Sequence, residues 1–120
     1  MGYLIMDDRV TRVEETLRVI GGRWKPAIMF SLITGGTRRF SELQREIPAI
    51  TQRMLTKQLR DLVAHGLVDR VFHEQVPPRV EYSATDLGRT LHPIYKAVCD
   101  WSDAHDAEVA AARARHPPLI

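Results

Sequence analysis

The chain has 120 residues, which is most simply one domain and is long enough to bury a real hydrophobic core. Apolar residues make up 44% of the chain and charged residues 27%, a composition that excludes a disordered or membrane-embedded protein. The single cysteine, Cys99, excludes an intramolecular disulfide framework and a cysteine zinc site, and it indicates an intracellular protein.

The net charge of +2 is small, but it is unevenly distributed along the chain. Residues 37–60 contain six cations and two acids, whereas residues 85–108 contain two cations and five acids. The basic centre predicts an anionic partner, and the acidic segment predicts a different role for the last part of the chain.

The N-terminal sequence MGYLIMDDR has an apolar run of four residues followed by two aspartates. This run is neither a signal peptide nor the stretch of about 20 apolar residues that spans a bilayer. We therefore expect a cytoplasmic protein that has no membrane partner.

Two helices are predicted before residue 36. Asp7 or Asp8 can cap the first, which runs to about Ile20 and ends at two glycines. Its apolar residues keep helical spacing: Val10, Val13, Leu17 and Ile20. The second helix begins at Pro26 and is apolar nearly all round, so we expect it to form the buried centre of the domain.

A short third helix is predicted after a small edge strand at residues 38–40. Ser41 and Gln44 have the spacing of a capping box, with Ser41 as N-cap and Gln44 at the third helical position. The helix is therefore expected from about Glu42 to Ile47, where Pro48 ends it.

The fourth helix has two contrasting faces. Thr51 can cap its start, and Gly66 can adopt the left-handed conformation that ends it. One face is an apolar stripe suited to a core: Leu55, Leu59, Leu62 and Val63. The opposite face is polar and cationic: Gln52, Arg53, Thr56, Lys57 and Arg60. Two short helices joined by a tight turn, with this cationic face outward, are typical of a helix-turn-helix that lies along a DNA groove.

A two-stranded wing is predicted at about residues 69–83. Residues 67–72 have the β-branched content of a strand, and residues 79–83 alternate polar and apolar side chains. The connecting loop is expected at residues 73–78. At the wing tip, Arg79 could donate to a DNA phosphate.

A long last helix is predicted from Thr85 onward. Its apolar positions keep helical spacing: Leu87, Leu91, Ile94, Tyr95, Val98 and Trp101. Pro93 lies inside this pattern and cannot donate to the carbonyl of Arg89, so a bend is expected there. The apolar stripe is longer than a small winged domain needs, and a second copy of the chain would cover the surplus.

These elements predict a mainly α fold with a small β-wing, an α+β winged helix-turn-helix that dimerises through its terminal helices. Residues 1–8 are expected to form an N-terminal arm, residues 9–112 a single domain, and residues 113–120 a tail. Within the domain, residues from about 86 to 112 form the dimerisation helix. The residues assigned to the dimer interface are Val13, Leu17, Leu91, Ile94, Tyr95, Val98 and Trp101.

Four literal runs resemble the HxlR-type winged helix-turn-helix transcriptional regulators, which are related to the MarR regulators. The runs are IGGRWKPAIMFSL at 20–32, RRFSELQREIPAITQRMLTKQLRDLVAHGLV at 38–68, VPPRVEYSATDLGR at 76–89 and CDW at 99–101. The resemblance implies a homodimeric bacterial regulator that binds double-stranded operator DNA through the helix at 51–65 and the wing at 69–83.

The resemblance also assigns individual DNA-facing positions. On the fourth helix these are Gln52, Arg53, Thr56, Lys57 and Arg60, and the expected backbone contacts are Arg38, Ser41 and Arg79. Thr51, the N-cap of this helix, is also predicted to bind DNA. Arg53 is suited to a guanine and Gln52 to an adenine, although either could instead hold a phosphate.

The sequence departs from oxidant-sensing relatives, which carry a cysteine near the N-terminus, where this chain reads MGYLIMDDR. A thiol switch of that kind is not expected, and Cys99 is interpreted as a small packing residue.

No metal site, cofactor or enzyme activity is expected. The five histidines, at positions 65, 73, 92, 105 and 116, show no metal-binding spacing, and no nucleophile elbow or phosphate loop is present. Two alternatives to operator binding stay open. One is a winged-helix module that binds an acidic protein. The other is a small-molecule-binding protein or an enzyme with a pocket near Tyr3, Trp24 and Tyr95. A small-molecule effector at the dimer seam is compatible with DNA regulation.

Overall fold

Six helices and three strands make up the part of the chain that the computed structural model describes, residues 8–116 and 118. These residues divide after Arg89 into two units. The first unit contains α1 (Asp8–Ile20), α2 (Lys25–Gly35), β1 (Arg38–Arg39), α3 (Phe40–Glu46), α4 (Gln52–Ala64), β2 (Val68–His73), β3 (Arg79–Ala84) and α5 (Asp86–Arg89). The second unit contains α6 (His92–Arg115). Tyr3, Asp7 and the rest of the expected arm up to residue 7 lie outside the described residues, as do residues 117, 119 and 120 of the expected tail.

The core of the first unit surrounds α2, as predicted. Ile28, Met29 and Leu32 are almost completely inaccessible to solvent. The other largest side chains that are fully buried come from α3, α4 and β2: Leu43, Leu55, Leu59, Leu62 and Val68. Burying such side chains is the main favourable contribution to the free energy of folding, so this cluster fixes where α4 lies.

The caps predicted for α4 are confirmed. The Thr51 hydroxyl accepts a hydrogen bond from the backbone N–H of Met54 at 3.1 Å, and Gly66 has a φ of 73°. The predicted apolar stripe is confirmed for its three leucines, but Val63 is exposed. Val63 follows Leu62 by about 100° around the helix axis, which places it at the margin of the buried face.

The wing is part of a three-stranded antiparallel sheet with the order β1-β3-β2. Arg38 pairs with Tyr82, which confirms the small edge strand, and β2 pairs with β3 from Val68 and Ala84 to His73 and Arg79. The strand β2 therefore includes His73, which was predicted to begin the loop. Helices packed beside a small antiparallel sheet confirm the predicted winged α+β fold.

The predicted start of α3 is wrong. The helix begins at Phe40, and the Glu42 carboxylate accepts a hydrogen bond from the backbone N–H of Arg39 at 2.8 Å. The acidic side chain at the third helical position thus closes the first turn, and Ser41 lies inside the helix as an exposed residue. Gln44 has a different role from the one predicted, because its side-chain amide donates to the carbonyl of Ile50 and so links α3 to the turn before α4.

The prediction of one bent C-terminal helix is also wrong, because the chain forms two separate helices, α5 and α6. The Thr85 hydroxyl accepts the N–H of Gly88 at 2.9 Å and donates to the carbonyl of Gly66 at 2.6 Å, which fixes the start of α5. Pro93 lies in the first turn of α6. Backbone N–H groups in a first turn have no acceptor within the helix, so proline, which has no N–H, costs no hydrogen bond there. Pro93 therefore starts a helix instead of bending one.

The second unit is the 24-residue helix α6, which extends past the expected end at about residue 112. Several large apolar side chains on it are exposed, including Val98 at 62% and Trp101 at 61%. Of the helices that the structure describes, none has the length and apolar character needed to cross a membrane.

Candidate nucleic-acid interface

The outward face of α4 carries an array of hydrogen-bond donors and positive charge. Gln52, Arg53, Lys57 and Arg60 are exposed, and Thr56 is half-buried. The Thr56 hydroxyl donates to the carbonyl of Gln52 at 2.9 Å, which leaves its methyl group and its lone pairs for other contacts. Because the leucines of α4 are buried on the other side, the cationic residues are held outward by packing.

An ion pair holds α4 against the start of α2. Lys25 is 7% exposed, and its Nζ donates to Asp61 and lies 3.4 Å from the carbonyl oxygen of Arg18. The hydrogen bond from Lys25 lowers the pKa of the Asp61 carboxyl below its ordinary value, more than burial raises it. A buried ammonium requires such a partner, so the pair constrains the orientation of α4.

Arg38, expected to contact the DNA backbone, forms hydrogen bonds within the chain. Its Nε donates to Glu46 at 2.7 Å, and one of its terminal nitrogens donates to the carbonyl of Gly35 at 2.6 Å. Hydrogen bonds from Ser31 and Arg38 lower the pKa of the Glu46 carboxyl, so this group stays ionised beside the guanidinium. Arg38 therefore ties α2, β1 and α3 together, and a phosphate would have to compete with these partners.

The other predicted DNA-binding residues lie outside α4. Arg79 begins β3 and is half-buried, with its Nε 3.6 Å from a carboxylate oxygen of Glu81, which also contacts His73. Ser41 is exposed in the first turn of α3, and Thr51 uses its hydroxyl to cap α4. The wing carries a further exposed cation, Arg70 on β2, which was not predicted as a contact.

Two clefts flank the outward face of α4. The larger, of about 860 Å³, lies between α4 and the turn from α1 to α2, and Arg53, Lys57 and Arg60 line it. The smaller, of about 320 Å³, lies between α4 and the wing and is lined by Thr56, Arg60, Arg70 and Tyr82 among others. The helix α4 therefore lies between two clefts.

The residues assigned to a dimer interface are mostly exposed in the single chain. Val13, Leu17, Ile94, Val98 and Trp101 present large apolar surfaces to solvent, whereas Leu91 is buried. Tyr95 is half-buried, and burial raises its pKa to about 12, so the phenol stays neutral at physiological pH.

A family model described as HxlR-like helix-turn-helix matches residues 19–109. The uncharacterized HTH-type transcriptional regulator YybR of Bacillus subtilis (strain 168) is 52% identical over 93 residues, which are 78% of this chain and 74% of YybR. An uncharacterized HTH-type transcriptional regulator of Methanothermobacter thermautotrophicus is 46% identical over 95 residues, which are 79% of this chain and 72% of that protein.

The chain belongs to the HxlR family. Among solved structures, the redox regulator HypR in its reduced form is similar to this HxlR-family protein with a TM-score of 0.76 and 47% identity. The match covers 83% of this chain and 98% of the HypR chain. The protein is therefore a DNA-binding transcriptional regulator and not an enzyme, as predicted.

Three exposed cations of this HxlR-family regulator that border α4 were missed from the sequence. Arg18 and Arg23 line the larger cleft, and Arg70 lines the smaller one. The only local signal was a cation beside an aromatic residue in the glycine-rich turn, Arg23-Trp24, which could have indicated an exposed stacked guanidinium. Among the described residues, no group of three or more His, Cys, Asp and Glu side chains is arranged to hold a metal ion.

Proposed function

We propose that the protein binds a pseudo-palindromic operator in the cytoplasm as a homodimer, with α4 of each subunit in the major groove and each wing on the flanking backbone. The observation that carries this proposal is the outward face of α4, where Arg53, Lys57 and Arg60 are exposed while the leucines opposite are buried. An α-helix fits the major groove, and its exposed side chains can reach base edges.

The exposed positions of α4 suggest a division of roles. Gln52 and Arg53 lie in the first turn, the part of a recognition helix that commonly meets base edges. Lys57 and Arg60 lie further along the helix and suit phosphates, and Thr56 suits a thymine methyl group. Ser41 and Arg79 would add contacts to the backbone, and Thr51 would act mainly by capping the helix.

The dimer proposal rests on apolar surface that one chain leaves exposed. On α6, Ile94, Val98 and Trp101 share one face, and Val109 continues it two turns further. On α1, Val13 and Leu17 form a second exposed apolar pair. A second copy would cover both faces, whereas Leu91 is already buried in the single chain and would add little to the interface.

A twofold dimer would present two α4 helices to successive major grooves about 34 Å apart. A small molecule that binds between the subunits and prefers one spacing of these helices would shift the DNA-binding equilibrium. With one cysteine in each chain, thiol chemistry in this protein is limited to Cys99, which is exposed on α6.

The proposal is tested by incubating the purified protein with fragments of its source genome and sequencing those that remain bound at physiological salt. We expect enrichment of one motif with two related half-sites about 10 base pairs apart, centre to centre. Enrichment of no motif, with equal binding to heparin and DNA, would instead favour a module whose basic face meets an acidic protein.

A further inference from the structure

The larger cleft beside α4 has two walls that come from distant parts of the sequence. One wall is the outward side of α4, including Arg53, Lys57 and Arg60. The other wall is formed by Arg18 in the last turn of α1 and by the turn from Gly21 to Trp24. Lys25, the first residue of α2, and Asp61 of α4 lie where the walls meet.

The charge on these walls strongly favours an anion. Of the thirteen described residues that line the cleft, six are cationic and one, Asp61, is acidic. Because the Asp61 carboxylate is paired with Lys25, it does little to neutralise the other five cations. The positive end of the α2 dipole lies at the edge of the cleft and adds to the same field.

Arg23 is preorganised within this cleft. Its guanidinium carbon lies 4.4 Å from the centroid of the Trp24 ring, a cation–π geometry. Stacking fixes the plane of the guanidinium and leaves the N–H groups at its edge free of the ring, so they can donate to an oxyanion. Gly22, with a φ of 87°, supplies the turn that brings Arg23 to this position at no steric cost.

The position of the cleft indicates which anion it receives. Its α4 wall includes four residues of the outward face of α4. These are Arg53, Thr56, Lys57 and Arg60, so an occupant of the cleft would lie directly beside the groove that α4 is proposed to enter. In a duplex, the chemical group that borders the major groove is the sugar-phosphate backbone.

We propose that the α1–α2 turn is a third DNA-contacting element, in which Arg23 and Arg18 bind backbone phosphates that enter the cleft beside α4. This inference rests on the proposed function. With the wing on the other side of α4, the turn would make the protein grip both backbones of the groove. Its contribution would be to affinity and register and not to base preference.

The test compares wild type with two variants: the single variant Arg23→Ala, and a double variant that carries both Arg18→Ala and Arg23→Ala. The affinity of each protein is measured for the selected operator and for a mixed-sequence duplex over a range of salt concentrations. Arg23 and Arg18 are exposed, so both variants should fold. We expect Arg23→Ala to weaken binding about fivefold on both duplexes and to reduce the slope of log affinity against log salt by about 1. The double variant should lose about twice that slope. Arg113→Ala, which removes an exposed cation of α6, serves as the control and should change neither quantity.

Three results would overturn the inference. Unchanged affinity and salt slope in both variants would show that the turn does not touch DNA. The proposed function would survive that result, provided that wild type still binds the operator in preference to the mixed-sequence duplex. Wild type that binds neither duplex would remove both. The third concerns a free anion. The cleft would be a site for a small anion instead if inorganic phosphate displaced DNA from wild type but not from Arg23→Ala. Chloride at the same ionic strength serves as the control for salt.

Discussion

The Nζ of Lys25 donates a hydrogen bond to the Asp61 carboxylate and so joins the first residue of α2 to the third turn of α4. The two partners differ in exposure: the Lys25 side chain is 9% accessible and that of Asp61 is 42%. Water can therefore solvate the carboxylate but hardly reaches the ammonium. Removing Lys25 and removing Asp61 should therefore have different effects on the free energy of unfolding.

Removing the acid should be more costly than removing the base. Asp61→Ala leaves a buried ammonium without its anion, and we expect the free energy of unfolding to fall by about 2 to 3 kcal/mol. Lys25→Met keeps most of the buried stem and leaves a carboxylate that water can solvate, so its cost should be about 1 kcal/mol or less. Urea denaturation of both variants measures the difference.

The exposed ion pair of Lys96 and Asp100, at 2.7 Å on α6, provides a matched control for this comparison. Lys96→Ala should leave the urea midpoint unchanged, because solvent screens this pair. Equal losses for Asp61→Ala and Lys25→Met would show that the difference in exposure does not govern the energetics.

The same pair should make stability depend on acid pH. The hydrogen bond from Lys25 lowers the pKa of Asp61 in the folded state, so the folded protein binds the proton more weakly than the unfolded chain does. This contribution is complete above about pH 4 and is lost as the pH falls through the lower, folded pKa. As the pH falls below about 4, wild type should therefore lose stability more steeply than Asp61→Ala, whereas the two should respond alike between neutral pH and about pH 5. The free energy of unfolding of both proteins can be measured by urea denaturation at several pH values. If it fell in parallel for wild type and Asp61→Ala, this account would be contradicted.

Local signals accounted for much of the fold and for the reading helix. Thr51, Gly66 and the leucines of α4 act within a few residues of their own positions, and the structure places them as the pattern predicts. The start of α3 was misjudged because the side chains of Ser41 and Glu42 can both accept a hydrogen bond from an unpaired backbone N–H at the start of a helix. The choice depends on which backbone N–H the Glu42 carboxylate reaches, and periodicity carries no information about that.

The remainder of the candidate site depends on contacts that sequence spacing does not encode. Arg38 was predicted to contact the DNA backbone, and the sequence did not show that Glu46, eight residues later, accepts its hydrogen bond. Arg18 and Arg23 are 30 to 42 residues from the cations of α4 that share their cleft, and the packing of α2 against the core brings them together. Counting charge along a chain cannot distinguish a paired cation from an available one.

Gly88 is predicted to be intolerant of a side chain. It is buried, and a Cβ at this position would meet the carbonyl oxygen of Leu67, which is backbone and cannot move aside cheaply. We expect Gly88→Ala to lower the free energy of unfolding by about 1 to 3 kcal/mol, measured by thermal or urea denaturation. The neighbouring variant Arg89→Ala removes only an exposed ion pair with Asp86 and should change stability by less than about 0.5 kcal/mol. A Gly88→Ala variant as stable as Arg89→Ala would refute the close packing.

The proposed dimer interface can be tested through α6. Ile94→Asp with Val98→Asp places two charges on the exposed apolar face, and desolvating them would oppose association. Sedimentation equilibrium should then report the mass of a monomer, while circular dichroism should retain the helical signal. Ala107→Asp with Ala111→Asp adds the same charge to exposed positions outside this face and should leave the dimer intact. A dimeric mass for the first double variant would move the interface away from these residues.

The most direct test of the central claim, that the outward face of α4 reads DNA sequence, is the ratio of affinities for the selected operator and a scrambled duplex at one salt concentration. Wild type should prefer the operator by about a thousandfold or more. Arg53→Ala should lose about 1 to 3 kcal/mol on the operator and relax the preference at one base position, whereas Lys57→Ala and Arg60→Ala should weaken both duplexes alike. Wild-type affinity that is equal for operator and scrambled DNA would contradict the account.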